Sequence, residues 1–245
     1  YQSQQDNIPV LSISSNMDIG EHPACNRENT WIFTNADSVK MYKNDEPVKE
    51  YFPCDSPYKA MVHGPLLVDD YVGDVLETKE HMSRKKSMEL KEAMNYVARF
   101  GQNKLPLRFM LTALKAILIY HMKPDEIIGL YTKYVGDWGG ESTTYRFDAI
   151  KDGKVVKSVT KSPMTGIKID AKADHTILND GYTYDVAAIR IKATDENGNL
   201  LNYFNEPVTL SVEGPIEIIG PNLISLKGGM FGTYVKTIRP DVKKN

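Results

Sequence analysis

Residues 181–220, GYTYDVAAIRIKATDENGNLLNYFNEPVTLSVEGPIEIIG, decide the fold class of this chain. Ala187, Ile189 and Ile191 alternate with Ala188, Arg190 and Lys192, so the isoleucines share one face and the cations the other. A period of two is the mark of a strand with one face buried. Asp195-Glu196-Asn197-Gly198-Asn199 follows, and its Asn-Gly pair accepts the positive backbone dihedrals of a tight hairpin. Val208-Thr209-Leu210-Ser211-Val212 alternates again and stops at Glu213-Gly214-Pro215. Short strands at this spacing predict a β-sandwich.

The same alternation recurs further upstream. Val10 to Ser15 alternates, and Trp31-Ile32-Phe33-Thr34 is dense in strand formers. Val39 to Lys43 runs into the turn Asn44-Asp45-Glu46-Pro47, and Val48 to Phe52 returns from it. Nearer the middle of the chain, Thr143 to Ile150 and Val155 to Val159 flank Asp152-Gly153, a strong hairpin signal.

Between these β-segments, from about Leu66, the period becomes helical. Leu90, Ala93, Met94, Val97 and Ala98 form one stripe between Ser83 and Phe100, with Gly101 placed to end the helix. Pro106 opens a second helix, in which Leu107, Met110, Leu111, Leu114, Ile117 and Leu118 recur at three- and four-residue steps. Pro124 opens a third, with Ile127, Leu130, Tyr131 and Tyr134 on one face. A single apolar stripe leaves each helix marginal alone, which predicts three helices burying their stripes on one another and on a sheet.

The chain therefore reads as mainly β with an α-helical insertion. Residues 1–165 are expected to form a β-sandwich carrying a small three-helix cluster at about 66–138, and residues 166–245 a second sandwich. Lys161 to Gly166, with Pro163, supplies the boundary.

The 245 residues carry a net charge of −2, which gives no electrostatic reason for a nucleic-acid or anionic-membrane partner. The longest apolar run, Leu107 to Tyr120, is interrupted by Arg108 and Lys115, so no transmembrane helix is expected. The start, Tyr1-Gln2-Ser3-Gln4-Gln5-Asp6, is polar and has neither Met nor the apolar segment of a signal peptide. It reads as an internal point of a longer polypeptide. Two cysteines, Cys25 and Cys54, are too few for a disulfide framework. Free thiols in a reducing cytoplasm are the favoured reading over a bridge, with secretion of the parent protein left open.

The search for chemistry returns mostly negatives. His22, His63, His81, His121 and His175 are scattered, without metal-ligand spacing. HExxH, GxSxG, CxxC and a phosphate-cradling glycine loop are absent, so no cofactor or metal is expected. Cys25 with His22 lacks the geometry of an activated nucleophile. Asp69-Asp70 and the pair Glu213 and Glu217 are read as solvated loop carboxylates rather than acid/base pairs. Trp138, beside Gly136, Gly139 and Gly140, is the candidate for an exposed sugar-stacking ring, with Tyr134 one helical turn before it. The plainer reading of Trp138 is a plug between the helices and the sheet, and Trp31 reads as core.

A resemblance covers nearly the whole chain. Thr30 to Asn44, TWIFTNADSVKMYKN, is similar to a strand pair in the β-sandwich that follows the catalytic barrel in family-two glycoside hydrolases, the β-galactosidase family. Asp180-Gly181 with Tyr184 to Ile191, Thr194 to Asn199, Val212 to Pro215, Ile218 to Gly220 and Gly228 to Thr237 resemble, in that order, the family's C-terminal immunoglobulin-like domain. Tyr1 to Gln4 is similar to the sequence just after the barrel's last helix.

The resemblance implies two immunoglobulin-like sandwiches, a catalytic barrel elsewhere in the same polypeptide as partner, and homo-oligomer contacts in the parent enzyme. It also departs from the family. The helical segment belongs only to a bacterial subgroup, Pro221-Asn222-Leu223 replaces a common Asn-Gly-Asp, and no βα repeat of barrel length is present. Asn205-Glu206 reproduces the dipeptide of the family's acid/base glutamate but lies between sandwich strands, before Pro207. A glycosidase needs a second carboxylate about 5 Å away across the bond, so Glu206 is expected in a loop and no catalytic residue is assigned. Two function classes follow: a non-catalytic accessory region of such an enzyme, or a module of immunoglobulin type that binds oligosaccharide or acts as an adhesin.

Overall fold

The alternating residues Ala187 to Lys192 lie in β9, Val186–Thr194, with Ala187, Ile191 and Ala193 buried and Arg190 and Lys192 exposed. The structure, a computed structural model, describes residues 2–15, 17, 27–103, 105–136 and 143–238. The chain divides into two units, Tyr1–Pro163 and Met164–Asn245.

In the first unit β1 (Leu11–Ile13), β2 (Trp31–Thr34) and β5 (Leu66–Leu67) make a three-stranded sheet in the order β1-β2-β5. The second sheet, β4-β3-β6-β7, consists of β3 (Ser38–Lys43), β4 (Glu46–Tyr51), β6 (Tyr145–Lys151) and β7 (Lys154–Lys161). One core joins the two: Leu11, Ile32 and Leu66 from the first sheet cluster with Val39, Met41, Tyr145 and Phe147 from the second. Asn44 and Asp45 (φ 48° and 64°) and Asp152 and Gly153 (φ 51° and 72°) hold both central turn positions at positive φ, the turn that matches strand twist in a two-residue hairpin. Pro47 enters the ladder beside a register shift at Met41/Tyr42, where a missing N–H is tolerated.

The helices lie between β5 and β6 in sequence: α1 (Val75–Thr78), α2 (Arg84–Phe100), α3 (Leu107–Leu118) and α4 (Pro124–Tyr134). Gly101 ends α2 at φ 75°, a conformation that costs glycine little. Two features differ from the expectation. Leu66 does not begin the helical region; with Leu67 it pairs with Ile32 and Trp31, and two residues are too few to show a period.

The second difference is the orientation of α3. Phe109 and Ala116 are buried, whereas the stripe of Leu107, Met110, Leu111, Leu114, Ile117 and Leu118 is exposed. Phe109 packs on Tyr96 of α2 with ring centroids 4.8 Å apart. Periodicity identifies the stripe, but the ring stack and the small Ala116 decide which side faces inward. The stripes of α2 and α4 do face the core, through Leu90, Met94 and Ala98 and through Leu130 and Tyr134.

In the second unit β8 (Lys168–Ala173), β9, β11 (Ile216–Ile219) and β13 (Met230–Thr237) form a sheet in the order β11-β13-β9-β8. The opposing sheet is β10 (Pro207–Thr209) with β12 (Leu223–Ser225). Ile191, Ala193, Ile224 and Leu226 bring the two together in one small core. The turn after β9 forms as expected, with Gly198 at φ 82°. Asp195 Oδ1 accepts the N–H groups of Asn197 and Asn199 at 2.9 and 2.7 Å. It closes only a short hairpin, the antiparallel Thr194↔Leu200 bridge with the Leu201 N–H on the Ala193 carbonyl at 3.0 Å, after which the chain crosses to the opposing sheet and β10 pairs with β12.

Candidate functional site

Tyr134 is not a stacking platform. It is 9% exposed within the first core. Its hydroxyl donates to Glu80 Oε1, and the Lys133 ammonium lies 5.0 Å from the ring centre. What remains of it edges a recess of about 310 Å³ with Lys43, Val48, Val75 and Lys79. Trp138 and Cys25 lie outside the described residues. Cys54 is a free, exposed thiol.

Glu206 is exposed at the entry to β10. Its carbonyl accepts the Leu226 N–H at 3.2 Å, and the Asn205 side chain accepts the Gly228 N–H at 3.1 Å, so the dipeptide serves a connection between strands. Glu217 pairs with Lys236 across β11 and β13 at 2.6 Å. His63 contacts Asp6 at 2.8 Å and His175 contacts Asp174 at 2.9 Å. Among the described residues no group of three His, Cys, Asp or Glu side chains is arranged to hold a metal.

Asp70 corrects the reading of Asp69-Asp70 as a solvated pair. Asp69 is exposed and meets Lys49 at 2.7 Å, but Asp70 is only 6% exposed. Its carboxylate receives Lys91 Nζ at 2.6 Å, Asn95 Nδ2 at 3.0 Å and the N–H groups of Val72 and Gly73 at 3.0 and 2.9 Å. Asn95 Oδ1 in turn accepts the Tyr71 N–H at 2.8 Å. Burial alone raises the Asp70 pKa, but the Lys91 ammonium, the Gly73 N–H and Asn95 outweigh it and hold the group below the usual aspartate value. The same contact raises Lys91 against the opposing effect of its own burial. A carboxylate saturated by donors has no proton to give at neutral pH; Asp70 fastens the 69–74 loop to α2.

Beside this clamp an open cleft of about 800 Å³ runs between β4, the loop and α2, with Phe109 in its wall. Lys49, Lys91, Arg99 and Arg108 line it together with Glu50, Asp69, Asp74 and Glu92. Its charges are of both signs and mixed, so it has no single-signed field to focus an ion. Sequence reasoning missed Asn95, although a signal existed: it is a polar residue next to Met94 on an otherwise apolar stripe, where an amide must find partners.

A second buried polar group sits at the C-terminal end of α4. Arg27, 3% exposed, donates to the Val135 carbonyl at 3.0 Å and to the Tyr145 hydroxyl at 2.7 Å. Its guanidinium lies 4.7 Å from the centre of the Tyr71 ring. Lys43 donates to the Tyr134 carbonyl. Two cations thus meet the negative end of the helix dipole and its unpaired carbonyls. Burial, and then repulsion from Arg27, lower the Lys43 pKa to about 8. Burial pushes Tyr71 up to about 12.

Trp31, read from the sequence as core, is half-buried and tilts against the exposed Tyr58, with centroids 5.7 Å apart. Among the described residues these elements form clamps and packing surfaces.

No family model matches the chain. A β-galactosidase of Rhizobium radiobacter is 34% identical over 106 residues, which are 41% of this chain and 73% of that protein. A β-galactosidase of Thermoanaerobacter pseudethanolicus is 38% identical over 66 residues, 27% of this chain and 9% of the relative. Among solved structures, a β-glycosidase from Bacteroides vulgatus superposes over 97% of this chain and 23% of its own length, with a TM-score of 0.51 at 12% identity. The chain thus spans most of one relative and a small fraction of the longer ones. The chain belongs to the β-galactosidase family.

Proposed function

We propose that this chain is the non-catalytic accessory region of a β-galactosidase-like glycoside hydrolase, and that it packs against a catalytic barrel of the same polypeptide. The observation that carries this reading is the strand pairing: every named strand pair among the described residues is antiparallel. A glycosidase barrel of the (β/α)₈ type is built from parallel strands, with its catalytic groups at their C-terminal ends. The position of Glu206 agrees, since an exposed glutamate on a strand connection lacks the rigid pocket in which two carboxylates flank a glycosidic bond.

The test is turnover of a chromogenic β-galactoside by the purified chain. The expected rate equals that of buffer. Turnover above buffer overturns the proposal, and its loss in Glu206→Gln would assign the chemistry to this chain. A tryptophan-fluorescence titration with galacto-oligosaccharides is expected to be flat; a saturable response would favour the binding-module reading instead.

A further inference from the structure

We propose that Lys43 is a modification site for carbon dioxide, its side-chain nitrogen taking up CO₂ as a carbamate in the recess at the C-terminal end of α4. The case begins with a shortage of acids. Lys91 and Lys115 of the same unit meet Asp70 and Glu89 at 2.6 and 2.5 Å. Lys43 instead donates to the Tyr134 carbonyl, and no ion pair among the described residues includes it. The carboxylates around the recess are already engaged, Glu46 by Lys79 and Glu80 by Lys133.

The neighbouring charge is a second cation. Arg27 donates to the Val135 carbonyl at 3.0 Å, so two cations hold the carbonyls of consecutive residues with no acid paired to either. Arg27 Nε is buried and has no acceptor among the described residues, and a buried donor left unpaired is rare in a folded protein. The cluster has more donors than acceptors. A carbamate on Lys43 replaces the repulsion between two cations with an attraction, adds two acceptor oxygens, and keeps one N–H to donate to the Tyr134 carbonyl.

The chemistry needs a free amine and room for a small neutral molecule. The recess, about 310 Å³, supplies the room: Lys43 lines it beside Val48, Val72 and Val75. The nitrogen lone pair attacks the carbon of CO₂, an N–C bond forms, the electrons of one C=O π bond move to oxygen, and one N–H proton passes to solvent. The products are the carbamate anion and a proton, with no oxidant or reductant involved. Burial and Arg27 lower the Lys43 pKa to about 8. At pH 8 its neutral fraction is therefore about a hundred times that of an ordinary lysine. Lys133, on the same recess, is held charged by its hydrogen bond to Glu80, which raises its pKa.

Trapping locates the site. The purified chain is equilibrated at pH 8 with ¹³C-bicarbonate, alkylated with a trialkyloxonium salt that fixes carbamates as esters, and digested for mass spectrometry. The ester on the Lys43 peptide is expected to exceed that on any other lysine by about tenfold. The carbon-13 spectrum is expected to show a carbamate resonance that Lys43→Arg lacks, since a guanidinium keeps the donor but does not form the carbamate. Label confined to the α-amino group, or spread evenly over the lysines, overturns the proposal. Thermal unfolding followed by tryptophan fluorescence gives a second readout: bicarbonate is expected to raise the midpoint of the native chain above that in chloride at equal pH and ionic strength. An equal rise in Lys43→Arg means non-covalent bicarbonate binding and also overturns it. The trapping result stands on the native chain even where the variant folds poorly. None of these outcomes bears on galactoside turnover.

Discussion

Lys43 is charged at neutral pH against two opposing influences, its burial and the Arg27 guanidinium. Its folded pKa of about 8 lies below the ordinary lysine value of 10.5. Between those values the unfolded chain binds the proton that the folded chain has released, so this group makes stability rise with pH across that window. Below it the full penalty of the buried cation remains. Unfolding free energies of the native chain and of Lys43→Met, measured at pH 7 and pH 9.5, are expected to differ in a pH-dependent way. The native chain gains on the variant by at most about 1.4 kcal/mol per pH unit. A constant difference would show that Lys43 does not titrate in that window. Asp70 is the contrasting residue: also buried, it is held ionised by Lys91 and by N–H donors, so its charge persists far below neutral pH.

At the level of elements, glycines fix how closely the helical region can approach the sheet. Gly73 sits at φ 64°, and a Cβ there would lie 2.8 Å from the Val48 carbonyl oxygen on β4. Gly153 has a similar φ of 72° but open space around it. Gly153→Ala is expected to cost only the left-handed backbone, about 1 kcal/mol. Gly73→Ala adds a clash with backbone that has no side chain to swing away, and is expected to cost about 3 kcal/mol. Urea midpoints of the two variants check the ranking; equal losses would mean that the loop moves away from β4 freely. The α3 helix teaches a complementary point. Its stripe was legible in the sequence, but the side that turns inward depends on Phe109 meeting Tyr96, a contact between residues of different helices.

For the whole molecule, the two units hold very different cores. Among the described residues, twenty-four buried apolar side chains cluster in the first and four in the second. Burial of apolar surface is the main favourable term in folding, so the second unit is expected to unfold first in urea. Both tryptophans, Trp31 and Trp138, belong to the first unit's range. Far-ultraviolet circular dichroism is therefore expected to change before tryptophan fluorescence does, and coincident transitions would contradict separate unfolding.

The sequence by itself determined the strands and the turns. The alternation of Ala187, Ile189 and Ile191, the Asp152-Gly153 turn and the stripes of the helices are local patterns, set by backbone geometry and by the side of an element each residue occupies. The resemblance to family-two β-galactosidases was legible for the same reason, because it rests on short runs in a fixed order. Tertiary structure alone decided what lies far apart in sequence. It paired Leu66–Leu67 with β2, sent the chain across to β10 after the Asp195 turn, buried Asp70 under Lys91 and Asn95, and left the leucines of α3 facing water. Each of these depends on contacts between distant residues, and a periodic pattern states that a face is apolar without stating what covers it.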